Sequence, residues 1–517
     1  MKKSKKIFIS IIVLGVLLFL YAFYDCLVYE LHHAYNYDTC LYWAVGRGIL
    51  NGITPYSGLY ENKPLGIFIL SAINFLFTDG TIVCNIISLI ALLSIAFMPI
   101  FIFREILKSE KKNYFNYSIS ILFLFLAGIF FMMYSEKKAG GFQVEAIGAS
   151  YSLYYIWAVI RLKNASNKKE TIIRTILSAI FIQMVVFMKE PFLLIVIASV
   201  LLFIDNFKDF IKCFLIPSVI GGISYLLILL VTKILKPYLS IYIMHMFSTR
   251  LGGEESAFER MFKFWYLLVD LSKFNILLSV FLVMLSFFAI VGFMYYKKKN
   301  LKIYHIIRVI LLFFITSFCV GLGGQYFDHH FIFAVPAYLS LMIYGAYILY
   351  KLFDIDDIYK KGSIVFLIIL IPSLVITANS SYEGDYSFKY AVTKSHAEYV
   401  DRLLDHYGED NYQYIGFNGE DTFFGLTKHS PKGPVFVQDK ENFYEDDNWF
   451  AREFLKQLDE VNIIIFKTCY TSSVRRELTN ILNNDFTVVA PDKFEEAPQY
   501  FNYIVLYRRD FYKKIPV

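Results

Sequence analysis

The chain is a succession of apolar runs, each about the length needed to cross a hydrocarbon layer, and nothing else restricts its fold as strongly. A bilayer core of ~30 Å takes about 20 consecutive apolar residues in helical form. Runs of this kind lie near residues 7–24, 81–103, 116–134, 142–160, 171–188, 190–204, 210–231, 274–296, 303–322, 331–350 and 362–378. Every backbone donor and acceptor must be satisfied inside lipid, so each run is expected to be a helix. The expectation is a polytopic α-helical membrane protein with about 11 transmembrane helices. Composition agrees: 57% of the residues are hydrophobic and only 18% are charged, against roughly 45–50% and about 25% in soluble domains.

Charge placement gives the threading. Residues 1–379 hold 34 Lys and Arg against 21 Asp and Glu, whereas 380–517 hold 16 against 23. The basic residues of the first part fall in short connections, which is the positive-inside pattern rather than a nucleic-acid footprint. MKKSKK precedes the first run. No small-residue cleavage site follows it, so the run reads as a retained anchor with a cytoplasmic N-terminus. The connections 104–112, 161–174, 205–212, 297–302 and 351–361 then share the cytoplasmic side. Most of them carry a Lys/Arg excess; the Asp205 and Lys351 connections are mixed.

The run Leu65–Phe77 is too short to span and would invert the charge pattern if counted. It is expected to lie in the outer interface. Residues 25–80 and 233–264 then form two long external loops within a transmembrane domain 1–379. Beyond residue 379 helix-like and strand-like segments alternate. Helices are expected at Ser395–Tyr407, Trp449–Leu458 and Ser473–Asn483. Strands are expected at Gln413–Phe417, Val435–Gln438, Val461–Phe466, Phe486–Ala490 and Tyr503–Tyr507. This predicts a small α/β domain, 380–517, placed outside by the odd number of spans. The six cysteines show no CxxC or zinc-type spacing and so suggest neither a disulfide scaffold nor a metal module; no cofactor is expected, and a divalent metal is left open but not indicated.

Several polar residues stand out against this background. Asp38 precedes a helix-compatible stretch, Thr39–Leu50, and reads either as its N-cap or as a functional carboxylate. Lys63 heads the short apolar run and reads either as a snorkelling lysine or as a ligand for an anion. Glu136 follows the third span beside Lys137 and Lys138, where a solvated loop charge is the plain reading. Glu145 lies just inside the fourth span, and ionisable groups within lipid usually face a cavity. Lys189-Glu190-Pro191 marks a span end that suits either a phosphate or an internally paired turn. Asp328, His329 and His330 sit at a late span entry. Their adjacency fits hydrogen-bond donors to a phosphate or sugar better than a metal shell.

The pattern D38-x5-A44-x3-G48…G52-x2-P55-Y56…K63-P64-L65 resembles the first external loop of the GT-C membrane glycosyltransferases. The likeness is to glycosyltransferase family 39 and its relatives, the polyprenyl-phosphate-sugar-dependent protein mannosyltransferases and lipid A aminoarabinose transferases. Two departures are plain: Thr39 stands where the family has the Glu of an Asp-Glu pair, and Leu65 where it has a second Pro. His330, Phe331 and Pro336 resemble the family's late HYF…P span entry. The resemblance covers the membrane part and not 380–517.

That resemblance implies a multi-pass cell-membrane enzyme. It would move a sugar, with inversion, from a polyprenyl-phosphate donor to an extracytoplasmic protein, glycan or lipid acceptor. Asp38 would be the base, with Glu136 and Glu145 as further acidic candidates. Lys63, Lys189, His329 and His330 would meet the donor phosphate. Its partners are then the lipid-linked sugar, the acceptor and the bilayer, with no nucleic acid. A transporter, flippase or polymerase of lipid-linked glycans is the alternative, but the two related halves with broken helices that mark transporters are not evident in the sequence.

Overall fold

The computed structural model describes residues 2–32, 37–108, 114–247, 256, 258–260, 262–263, 303–322, 328–352, 386–415, 423–434, 436, 449–467, 476–488 and 497–512. The runs expected to span near 274–296 and 362–378 lie outside the described residues. The chain divides into two compact units: one comprises Met1–Leu31, Ile86–Ile228 and His245–Glu383, the other His32–Asn85, Leu229–Met244 and Gly384–Val517. Segments read from sequence as loops thus group with the C-terminal part.

The first unit is helical. Its elements are α1 (Lys2–His32), most of α4 (Ile82–Ile106), α5 (Tyr114–Ala139), α6 (Val144–Lys163), α7 (Lys168–Met188), α8 (Pro191–Leu201), α9 (Phe207–Val231, with a π-turn at Ile211–Leu215), α10 (Ile303–Gly321) and α11 (Ala334–Leu352). Among the described residues six helices are long and apolar enough to cross a bilayer: α1, α4, α5, α7, α9 and the stretch His329–Tyr347. Exposed Ile, Leu and Val run along α1, α7 and α9, as lipid-facing surfaces require. The opposite faces pack into one apolar core drawn from α4, α5, α6, α8 and α11.

The connections are fixed by local chemistry. Asn167 caps α7, its side chain accepting the Glu170 N–H at 2.9 Å, while the Glu170 carboxylate accepts the Ser166 N–H at 3.2 Å. Asn206 caps α9 through the Asp209 N–H at 2.8 Å. Small residues let helices approach. A Cβ on Gly128 of α5 would lie 2.1 Å from the Ala96 carbonyl oxygen of α4, and one on Gly148 of α6 would lie 2.4 Å from the ring of Phe192.

Two helices outrun their expected ends. The α1 helix continues to His32 rather than stopping near Tyr24, because no Gly or Pro interrupts 25–32 and Cys26, Tyr29 and Glu30 present one buried face. The α5 helix continues to Ala139, which takes Glu136 out of the loop in which the sequence places it.

The second unit opens with α2 (Tyr37–Leu50) and α3 (Leu65–Phe77). The α3 bounds match the short apolar run, whose composition cannot sustain a longer helix before Thr78. Arg47 of α2 stacks 3.9 Å over the Phe75 ring of α3. Asn74 holds the α3–α4 turn, accepting the Val83 and Cys84 N–H groups and donating to the Gly80 carbonyl. The C-terminal part contains α12 (Tyr386–Tyr407), β1 (Asn411–Ile415), β2 (Ser430–Pro431), α13 (Trp449–Leu458), β3 (Ile463–Lys467), α14 (Arg476–Asp485), β4 (Phe486–Val488) and β5 (Tyr503–Arg508).

The sheet order is β2-β1-β3-β5-β4. Strands β2, β1 and β3 are parallel, and β5 runs antiparallel to β3 and β4. Of the strand expected at 435–438, Phe436 is not in a strand, and 435, 437 and 438 lie outside the described residues. Strand β3 is buried on both faces, which explains its unbroken run of isoleucines.

Candidate functional site

Glu145 stands in the first turn of α6 and has no exposed surface. Lys189, just after α7, reaches back so that Nζ lies 2.5 Å from Oε1 of Glu145. Pro191 at the start of α8 forbids α7 from running on, and this break leaves Lys189 extended and turned toward α6. His329 and His330 enter from the 3₁₀ turn Asp328–Phe333, which leads into α11. One ligating atom from each of Glu145, His329 and His330 lies within 4.8 Å of the other two.

Although His329 and His330 are adjacent in sequence, the tight 3₁₀ turn brings both imidazoles to one carboxylate. The ammonium of Lys189 also sits 4.9 Å from the Phe333 ring. Oε2 of Glu145 is buried without a hydrogen-bond partner among the described residues. The site therefore joins a carboxylate, a lysine and two titratable imidazoles, with one acceptor atom still unsatisfied. One cation within reach of the three ligating atoms would have to share the carboxylate with Lys189, whereas an anion would gain from Lys189 and from protonated imidazoles.

A second polar group lies in the same unit, where α1 ends. Glu30 is fully buried. Its Oε1 accepts the Ser88 hydroxyl at 2.8 Å and the Gly141 N–H at 2.9 Å, while Oε2 has no partner among the described residues. Ser88 in turn accepts the Phe142 N–H at 3.3 Å. Gly141 and Phe142 both have positive φ, +82° and +64°. Such a conformation is uncommon for phenylalanine and needs surrounding support. Three residues after Phe142 lies Glu145.

Glu136 is buried in α5 and is not the solvated loop charge expected: Lys137 sits 3.6 Å from it and 2.7 Å from Asp25. Sequence reasoning missed Glu30, Asp25 and Ser88. The available signal was an acidic residue, Glu30, four positions from Cys26 in a run without helix breakers.

In the second unit, Asp38 lies inside the first turn of α2, one residue after its start at Tyr37. It is therefore not the N-cap. A carboxylate there still complements the helix N-terminus. It is half-buried and makes no hydrogen bond or ion pair with a described residue. Lys63 is not a free snorkelling chain. Its ammonium contacts Glu61 Oε1 at 3.1 Å and Asn62 Oδ1 at 2.8 Å, and lies 5.7 Å from the Tyr42 ring. Tyr56 fixes the same turn by donating to the Lys63 carbonyl at 3.0 Å.

No protein-family model and no curated protein sequence matches the chain. Solved structures do. ArnT from Cupriavidus metallidurans bound to undecaprenyl phosphate aligns with a TM-score of 0.52 at 10% identity, over 96% of this chain and 97% of that one. Its apo state aligns with a TM-score of 0.51 at 9% identity, with the same coverage. An Archaeoglobus fulgidus oligosaccharyltransferase aligns with a TM-score of 0.45 at 14% identity, over 87% of this chain and 68% of that one. At such identities the ArnT match shows the fold alone: the chain shares that fold, a helical part with six helices long and apolar enough to cross a bilayer among the described residues, and a small C-terminal sheet domain.

Proposed function

We propose that this chain is an integral membrane glycosyltransferase that takes a sugar from a polyprenyl-phosphate donor and transfers it to an extracytoplasmic acceptor. The observation that carries the reading is the convergence of Lys189, His329 and His330 on the buried Glu145. The GT-C fold supports it, since the ArnT structure of that fold holds undecaprenyl phosphate. In this reading the N-terminus is cytoplasmic and the C-terminal domain extracytoplasmic, which the Lys/Arg excess of most of the connections supports.

In the proposed reaction an acceptor hydroxyl or amine attacks the anomeric carbon from the face opposite the phosphate. The bond between that carbon and the phosphate oxygen breaks, and its electron pair leaves with the polyprenyl phosphate. Asp38 removes the acceptor proton as the new bond forms. Because attack and departure occur on opposite faces in one step, the configuration inverts. Lys189 and the two histidines compensate the charge that grows on the departing phosphate, the role that the family resemblance also implies for Lys63. For Lys63 this means exchanging Glu61 for the phosphate. Glu145 keeps Lys189 aimed, and Glu136 holds Lys137. The ligating set of Glu145, His329 and His330 could also take a divalent ion, and no step above requires one.

The test is lipid extraction from protein purified out of its native membrane, followed by mass spectrometry. Wild-type protein should carry a polyprenyl phosphate or its sugar-linked form. Lys189→Ala should lose about tenfold or more of it, as removal of a charge-assisted contact implies. Wild-type protein without any polyprenyl lipid, and without transfer from a supplied polyprenyl-phosphate sugar, would remove the proposal.

A further inference from the structure

The segment 51–60 spans one side of a cavity of about 810 Å³ in the second unit, and the C-terminal domain forms the other. The segment is clamped at both ends. Asn51 Nδ2 donates to the Lys428 carbonyl and to Ser430 Oγ, both at 2.9 Å. The Tyr60 N–H donates to the Pro434 carbonyl at 2.9 Å. Between these clamps Ile53, Ser57 and Gly58 line the open space, facing residues of the β2 segment and of α13. The same segment continues directly into Glu61, Asn62 and Lys63.

The lining is polar, and most of its charges are paired, His429 with Asp405 at 2.8 Å among them, whereas Asp410 has no ion pair with a described residue. Lys432 sits 3.4 Å from Glu460, Lys456 3.9 Å from Glu453, and Lys428 3.8 Å from Asp79. An anionic or cationic ligand would have to break such pairs, whereas hydroxyl groups can add to them. The cavity wall also contains an unsatisfied amide. Gln457 is only 5% exposed, and neither its Oε1 nor its Nε2 has a hydrogen-bond partner among the described residues. It lies directly under Gly433, whose φ is +82° and where a Cβ would come within 2.3 Å of the Gln457 Cδ. The amide holds a donor and an acceptor side by side, the pairing that a sugar's adjacent hydroxyls complement, and Gly433, without a side chain, covers it.

A peptide fits less well. The sheet edge at the cavity is β2, only two residues long and ending in Pro431, which has no N–H to offer an added strand.

We propose that this cavity is a subsite for the remote sugars of a neutral, hydroxyl-rich oligosaccharide acceptor. The inference rests on the transferase reading above and adds the class of acceptor to it. Binding energy gathered there, away from the reacting centre, would position the acceptor's terminal hydroxyl. Segment 51–60 would couple an occupied cavity to Lys63 through the Tyr56–Lys63 hydrogen bond.

The experiment uses the full chain in lipid nanodiscs, with maltohexaose, mannohexaose, N-acetylchitohexaose and a serine-rich dodecapeptide as probes for saturation-transfer NMR. At least one hexasaccharide should bind, with affinity insensitive to salt, and the peptide should not. Ser57→Trp, at an exposed position on the cavity wall, and Glu453→Gln should each weaken that binding about tenfold. Cleavage of a supplied polyprenyl-phosphate sugar is followed in the same samples. Donor cleavage with no hexasaccharide bound, with only the peptide bound, or with both variants binding like wild type would overturn the subsite and leave the transferase reading standing. Hexasaccharide binding without any donor cleavage in wild type would overturn the transferase reading and the acceptor role together.

Discussion

A lysine held 2.5 Å from a carboxylate with no exposed surface is costly to break on one side only. Removing one member leaves the other buried and uncompensated, on the order of 3 kcal/mol. Lys189→Met should therefore lower the thermal stability of the purified protein. The double variant Glu145→Gln/Lys189→Met should recover most of that loss while donor binding stays poor. Equal destabilisation in the single and double variants would show that the two side chains do not act as a pair. Asp38 can be separated in a different way. It complements the start of α2 without capping it, and Asn would preserve the shape there and lose only about 0.3–1 kcal/mol of helix-dipole interaction. Asp38→Asn should thus leave insertion and folding intact and abolish transfer, because an amide cannot take the acceptor proton. Near-normal transfer in that variant would remove Asp38 as the base.

At the scale of elements, close helix approach is the controlling feature. The contact between Gly128 of α5 and the Ala96 backbone of α4 offers no flexible side chain that can give way. Gly128→Leu should lower the unfolding temperature by an amount equivalent to about 1–3 kcal/mol, whereas a leucine at the open Gly222 position should change it little. Comparable melting of the two variants would show that the α4–α5 crossing does not need a glycine. The C-terminal domain carries a pH-dependent element of its own. Asp401 of α12 is buried, and burial pushes its carboxyl above the ordinary value of 3.8. Hydrogen bonds from the Lys428 and His429 N–H groups pull the other way. With a raised folded pKa, its contribution to stability is complete below about pH 3.8 and is lost as pH rises through the folded value. Melting of the C-terminal domain should fall over that interval and do so less in Asp401→Asn; identical slopes would assign the dependence to other groups.

For the molecule as a whole, the second unit ties α2 to the C-terminal domain. A Cβ on Gly425 would meet the Cys40 backbone at 2.7 Å, and Asn51 and Tyr60 hydrogen-bond to residues 428–434. Deleting 384–517 should leave a chain that still inserts into membranes but transfers no sugar, because α2 and Asp38 lose their support. Transfer at wild-type rate by the truncated chain, measured with a supplied donor, would show the domain to be an accessory. Much of this molecule is already written in its sequence. Six of the eleven expected spans are long apolar helices among the described residues, since lipid leaves the backbone no alternative to a helix, whereas the run at 190–204 forms the 11-residue α8, shorter than a span. The bounds of α3 and α13, the mixed α/β character of the tail and the GT-C likeness follow from local patterns. What only tertiary structure decided is which polar residues meet. Glu145, Lys189 and His329–His330 come from three separate segments, and Glu30 reaches Ser88 and Gly141 across two helix boundaries. Glu136 belongs to a buried helix end because α5 continues past its apolar run. Hydropathy and spacing report what a residue's own segment does. Burial and ion pairing depend on the side chains that other helices bring to the same depth, and single-segment patterns carry no record of those.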